Sequence, residues 1–173
     1  MSIEESVRLV PHSTNKEIAL LEWDLVGEKA NKLSTPTMAR FRELLEQLAK
    51  SSFKAAIIIS RKEKIFMAGA DIDEIKNLKS KDDFRRAVEG GQQIMNMIED
   101  LPIPVVAAIH GACMGGGCEL VLACDSRVCS DDKATKIGLP EVRLGIIPGF
   151  GGCVRLPRVV GLTAALDIIL AGK

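Results

Sequence analysis

Residues 111–120 read GACMGGGCEL, three consecutive glycines placed before a cysteine and a glutamate. Glycine loses more backbone freedom on folding than any other residue, so a triplet is costly unless the chain needs what only glycine supplies. A strand that runs into glycines and then into a helix lets the backbone approach a ligand closely. The unpaired N–H groups of the first helical turn then point at that ligand, with the helix dipole favouring negative charge. Nucleotide phosphates often occupy such sites. This segment, however, has no G-x-x-x-x-G-K-[ST] lysine and no G-x-G-x-x-G fingerprint in a first βαβ unit. What remains is a backbone donor for another anion or oxyanion, or glycines that merely let a helix pack tightly on a strand.

Glu119 bears on that choice. It sits in the first turn of an otherwise apolar run, CELVLAC. A carboxylate there either complements the helix dipole or, if buried, needs a partner or a purpose. Glu141 in GLPEVRLG is likewise flanked by apolar residues, 22 positions further on. Only the tertiary fold can bring the two together. If it does, they form a carboxylate pair of the kind that moves protons in general acid–base catalysis. Other reactive side chains have plainer explanations. His110 ends an apolar strand with no Ser or Cys nucleophile motif nearby and reads as structural. Cys118 reads as a small buried hydrophobe, Asp71 as the cap of a helix DIDEIKNL, and Asp125 as a hydrogen-bonding structural carboxylate. The GFGG run, Gly149 to Gly152, either lines a pocket beneath a helix start or packs tightly.

These residues must be positioned by the elements around them. SVRLVP and EIALLEWDLV are β-rich, and GEKANKLST is a turn-rich loop. Thr35 is placed to cap a helix opening at Pro36, with Met38, Phe41, Leu44, Leu45 and Leu48 on one face. KAAIIIS reads as a strand buried on both faces. Ser80 and Asp83 fit a capping box for a long helix whose inner side carries Phe84, Val88, Gly91, Ile94, Met95 and Ile98. After Pro102 and Pro104, VVAAIHG is another buried strand leading to the triplet and the helical run GCELVLACD. SRVCS is strand-like, KIGLPEVRLGIIPGFGG is loop-rich, and LTAALDIILAG is a terminal helix. Strands alternating with helices imply an α/β layered architecture, read as one domain over residues 1–173.

Composition narrows the function classes. With 47% hydrophobic and 27% charged residues, the chain reads as globular rather than disordered. Lys plus Arg and Asp plus Glu are both 23, which gives no electrostatic reason to expect nucleic acid or a membrane surface as partner. Five Phe, one Trp and no Tyr leave little for base stacking. No apolar run of about 18 residues predicts a membrane span, and MSIEESVRLV lacks the basic-then-apolar pattern of a signal peptide. Cys113, Cys118, Cys124, Cys129 and Cys153 contain no C-x-x-C pair. They argue against a disulfide framework or a zinc site and point to a cytoplasmic protein without a metal.

FMAGADIDEI, PVVAAIHGACMGGGCELVLACDSRV and IGLPEVRLGIIPGFGG, in that order, resemble the crotonase family, also called enoyl-CoA hydratase/isomerase. Within it, EKANKLS, SRVCSDD and PGFGGCVRLPR are similar to the N-terminal hydratase part of the multifunctional α-subunit of fatty-acid β-oxidation. The resemblance runs from the first strands to the last residue. It implies a spiral of ββα units with approximately perpendicular sheets. The implied activity is hydration of trans-2-enoyl-CoA to 3-hydroxyacyl-CoA, with Δ3–Δ2 enoyl-CoA isomerisation or acyl-CoA binding without turnover as alternatives. By resemblance, Glu119 and Glu141 are the catalytic carboxylates, and the amides of Ala68 and Gly116 form the oxyanion hole. The coenzyme A portion would lie over Ala30, Lys32, Leu33, Ala70 and Asp71, with Lys29 or Lys32 meeting a phosphate. No cofactor is implied beyond the coenzyme A of the substrate. NAD would belong only to a hydroxyacyl-CoA dehydrogenase region that this sequence lacks. Family members continue past the point matching LDIILAGK with further helices, so the chain is expected to be an N-terminal fragment lacking them. For the full-length protein the resemblance implies a trimer-based homo-oligomer or a complex with a thiolase subunit.

Overall fold

Parallel pairing with helical crossovers builds most of the chain, but the strands Ala55–Ser60 and Val105–Ile109, expected to be buried on both faces, alternate buried with half-buried residues, and Ser126–Cys129 is exposed. The computed structural model describes residues 2–173. After a short helix α1 (Ile3–Ser6), strands β1 (Val7–Pro11) and β2 (Ile18–Trp23) pair antiparallel, with Leu9 opposite Leu21. Parallel pairing then joins β2 to β3 (Ala55–Ser60), β3 to β5 (Val105–Ile109) and β5 to β7 (Ser126–Cys129). The large sheet therefore has the order β1-β2-β3-β5-β7. A smaller parallel sheet holds β4 (Ile65–Met67), β6 (Ala112–Met114) and β8 (Lys136–Gly138) in that order.

The chain alternates between the two sheets. Strands β3 and β4 lead to helices α3 (Ile72–Asn77) and α4 (Lys81–Glu99), and β5 and β6 lead to α5 (Gly116–Leu122). Strands β7 and β8 lead to a 3-10 turn (Glu141–Leu144) and α6 (Gly152–Val160). Each pass is a ββα unit, as the resemblance implies. Helices α2 (Thr35–Ala49) and α7 (Leu162–Ala171) complete the elements. Phe41, Leu44, Leu45 and Leu48 of α2 are fully buried in the main core, where Trp23 meets Phe41 edge-on at 5.2 Å. Each such side chain contributes roughly 1.5–3 kcal/mol by leaving water.

Several local expectations need correction. The sequence marks none of the three strands of the small sheet, because each has only three residues and no usable period. They exist through remote pairing, Met67 with Cys113 and Met114 with Gly138. Helix α2 begins at Thr35, one residue earlier than expected, with Ser34 as its N-cap. The Ser34 N–H donates to Thr37 Oγ1 at 2.8 Å, while the Thr35 N–H is taken by the Glu74 carboxylate of α3 at 2.8 Å. Helix α4 has the expected Ser80–Asp83 capping box and buries Gly91, Ile94, Met95 and Ile98. Phe84 does not join that core: it is 42% exposed, because the first turns of α4 wall a cavity instead. Helix α6 was concealed in the sequence by Pro157 inside it and by the glycines before it.

One buried side chain ties the loop after β2 to the small sheet. Asn31 is fully buried; its Oδ1 accepts from Leu25 N–H at 3.0 Å. Its Nδ2 donates to Ser60 Oγ at 2.9 Å and to the carbonyls of Trp23 and Phe66, each at 3.2 Å. Next to it, Leu33 N–H reaches Gly69 O at 2.9 Å and Asp71 N–H reaches Leu33 O at 3.0 Å. The Asn31→Ala variant leaves several buried polar groups unpaired and is expected to lower the unfolding free energy by about 3 kcal/mol. Urea denaturation should show a lower midpoint with an unchanged slope; an unmoved midpoint would mean that Asn31 holds nothing.

Candidate active site

Strand β6 delivers the chain to Gly115, whose φ of +54° and ψ of −126° suit no side-chain-bearing residue. Its N–H donates to Gly138 O of β8 at 2.9 Å, and α5 starts at once behind it. A Cβ on Gly117 would lie 2.7 Å from Met67 Cβ and 2.8 Å from Met67 O. The triplet therefore does pack a helix tightly on a strand. It also frees a donor: Gly116 N–H opens the helix and has no acceptor among the described residues.

The second donor differs from the expected one. Ala68 N–H is already spent on Asn31 O at 2.9 Å, so it cannot serve an oxyanion. Ala70 N–H has no acceptor among the described residues, and a Cβ placed on Gly116 would lie 3.3 Å from that nitrogen. Ala70 and Gly116 are therefore two unpartnered donors, which the absence of a side chain at Gly116 brings together. Gly69, at φ +102°, makes the turn between the two alanines.

Every residue of α5 is buried, Glu119 included, at 2% exposure. Its Oε1 accepts from Phe150 N–H at 2.7 Å and from Gly152 N–H at 2.8 Å. The GFGG run thus lines the pocket and also supplies the partners of the carboxylate, a role its sequence did not disclose. Glu141, on the 3-10 turn, is also buried; its Oε1 lies 3.1 Å from where a Gly115 Cβ would stand, and its Oε2 has no partner. Both carboxylates open onto one cavity of about 230 Å³ and are its only polar side chains. The rest of the wall is apolar, including Ile72, Leu78, Phe84, Val88, Leu144 and Ile147.

Burial governs the charge of both acids. It raises the Glu119 carboxyl to about 7; the Gly152 and Phe150 amides and Arg155 oppose the rise, and Glu141 adds to it. Burial also raises Glu141, against its own backbone amide. Cys118 is inert, its thiol pushed up to about 12 first by burial and then by both glutamates.

Of the other expected site residues, Ala70 lines this cavity, and Leu33 and Asp71 line an adjoining one that Ala70 shares. Leu33 bridges Ala70 in the backbone, and Lys32 Nζ pairs with Asp71 Oδ2 at 3.1 Å, which raises the lysine and lowers the aspartate. Asp71 also caps α3, accepting from the N–H groups of Asp73 and Glu74. Ala30 is half-buried in the same loop as Lys32 and Leu33. His110 Nε2 lies 2.6 Å from Lys62 O, and Asp125 accepts from Val105 N–H at 2.7 Å; both are structural.

Because the native state holds the Glu119 proton more tightly than the unfolded chain does, stability falls as pH rises from about 4.5 to about 7. Glu119→Gln abolishes this loss and should be more stable than the parent at pH 8, by on the order of 3 kcal/mol, and little different at pH 4. Denaturation at the two pH values checks this; equal effects at both would refute a raised acid.

Residues 15–173 match the enoyl-CoA hydratase/isomerase family. The crystal structure of an enoyl-CoA hydratase from Bacillus anthracis matches at 34% identity and a TM-score of 0.87, over 97% of this chain and 63% of that one. A Geobacillus kaustophilus enoyl-CoA hydratase matches at 30% identity and 0.89, over 97% and 61%. An enoyl-CoA hydratase/carnitine racemase from Magnetospirillum magneticum matches at 28% identity and 0.87, also over 97% and 61%. The chain thus spans between 61% and 63% of the length of these relatives. In sequence over residues 15–173 and in fold over nearly its whole length, the chain belongs to the enoyl-CoA hydratase/isomerase family.

Proposed function

We propose that this site hydrates trans-2-enoyl-CoA to 3-hydroxyacyl-CoA, a step of fatty-acid β-oxidation. The observation that carries the proposal is the pairing of two buried carboxylates with two unpartnered N–H groups around one apolar cavity. A trans-2-enoyl thioester is electrophilic at Cβ, and attack there moves an electron pair onto the thioester oxygen. Ala70 and Gly116 N–H groups receive that oxygen as charge develops on it; one such donor is typically worth about 3 kcal/mol.

Glu119 takes the proton of the attacking water, and Glu141 delivers a proton to Cα. Two facts support this division of roles. The two amide donors on Glu119 Oε1 oppose the rise that burial imposes and leave this acid at about 7, poised to take up a proton. The unpartnered, buried Oε2 of Glu141 favours the neutral form an acid needs. Proton exchange with water then resets both groups. The coenzyme A portion extends over the Ala30–Leu33 loop, where Lys32 stands at the rim beside Asp71.

In the intact protein, Glu119→Gln and Glu141→Gln should each lower kcat for crotonyl-CoA hydration by about 100-fold or more with little change in KM. Near-normal turnover from either variant would overturn the two-glutamate mechanism. Gly116→Ala, which sets a methyl group 3.3 Å from Ala70 N, should lower kcat comparably. A 3-enoyl-CoA assay of the same variants separates isomerisation, which moves one proton and needs no water.

A further inference from the structure

The Glu119 carboxylate is aimed by a loop, and the loop is gripped from outside the cavity. One face of α4 lies along Gly149–Gly152. A Cβ on Gly149 would touch Val88 at 3.4 Å, and the Phe150 ring fills the place where Gly91 lacks a side chain. Gln92 Nε2 donates to Gly149 O at 2.8 Å. At the end of the helix, Glu99 receives Arg155 in a fork, Nε to Oε1 at 2.9 Å and Nη2 to Oε2 at 2.7 Å. Asn96 Oδ1 accepts from the same Nη2 at 2.8 Å.

The remaining nitrogen of Arg155, Nη1, is left for the loop and reaches Phe150 O at 3.0 Å. Arg155 is 8% exposed, and its guanidinium fills the space that a side chain at Gly151 would need. A planar fork suits this place because it can bind a carboxylate along one edge while a further N–H points elsewhere; an ammonium cannot do both at fixed angles. Phe150 therefore has its carbonyl held by Arg155 and its N–H given to Glu119. Gly152 N–H, the other donor, lies one turn of α6 before Arg155.

We propose that Arg155, clamped by Glu99 and Asn96, is a positioning residue for Glu119, fixing through the Phe150 carbonyl the two amides that orient the carboxylate. The proposal rests on the hydratase reading of the site. The titratable groups that face Glu119 are Glu141 from the 3-10 turn, Cys118 from its own helix, and Cys153 and Arg155 from α6. Helix α4 faces it only through Glu99 behind Arg155. Loosening the clamp withdraws amide donors from the carboxylate, so the limb of the pH–rate profile that titrates Glu119 moves to higher pH.

The test is crotonyl-CoA hydration by Arg155→Lys in the intact protein, alone and combined with Glu119→Gln or Glu141→Gln. Alone, it should lower kcat between about 10-fold and 100-fold, leave KM within about twofold, and shift the Glu119 limb upward. Combined with Glu119→Gln, it should cost no more than about twofold further, while its full factor persists beside Glu141→Gln. An equal factor on both backgrounds, or an unmoved pH profile, overturns the positioning role and leaves the hydratase reading intact. Near-normal turnover by Glu119→Gln overturns the hydratase reading itself. If Arg155→Lys does not fold, Glu99→Gln releases the same guanidinium from a half-exposed carboxylate and must give the same pattern.

Discussion

A carboxylate enclosed in an apolar cavity is the constraint on which the rest of this structure depends. Taking an ionised group out of water carries a penalty of several kcal/mol even after the surroundings relax, as a rough guide. Here two backbone N–H groups on a single oxygen offset part of it. Those donors come from a loop more than 30 residues downstream, so the loop needs its own anchorage. Helix α4 and Arg155 provide it, and their ion pair is shielded on the arginine side. The other oxygen is left to face the cavity.

Close approach of backbone to backbone is the second requirement. Side-chain-free positions at Gly69 and Gly117 let the turn after β4, β6 and α5 meet at distances no Cβ would allow, and a Cβ at Gly115 or Gly116 would crowd Glu141 or Leu33. Tight packing and a free backbone donor, two alternative readings of the triplet, are met by the same three residues. Gly117 settles the helix on Met67, and Gly116 exposes its N–H beside Ala70. Asn31 works at the same junction from the opposite side. It occupies Ala68 with its carbonyl and β2, β3 and β4 with its side chain, and so removes the Ala68 amide from the donors that the Ala68–Ala70 turn can offer.

Legibility in the sequence followed the range of the interactions. Periodicity and capping residues disclose α2 and α4, because Phe41 to Leu48 and Ser80 with Asp83 act within their own helix. The strands of the large sheet show as apolar runs. The small sheet does not show, since its three-residue strands owe their existence to partners over 20 residues away. The site divides in the same way. Glu119 and Glu141 stand out as acids in apolar surroundings, and the glycine triplet as backbone with a task. Assigning an oxyanion donor to Ala68 failed because nothing local reveals that Asn31 O claims that amide. The Phe150 and Gly152 donors and the Arg155 fork were likewise invisible: each is a contact across 31 residues or more, or is made through a backbone atom that any residue possesses.

The parallel arrangement has a consequence in time as well as in space. Beyond the antiparallel β1–β2 pair every strand pairing is parallel, so each later pairing waits for a crossover to be completed. On the ribosome, Glu119 emerges before either residue whose N–H will hold it. Until Phe150 and Gly152 have been made, water is the only solvent for that carboxylate, and helix α5 cannot bury its first turn as it does in the finished fold. The cavity can therefore close only after Gly152 has been made, and a nascent chain halted within the 3-10 turn would carry both acids without the amides that hold Glu119.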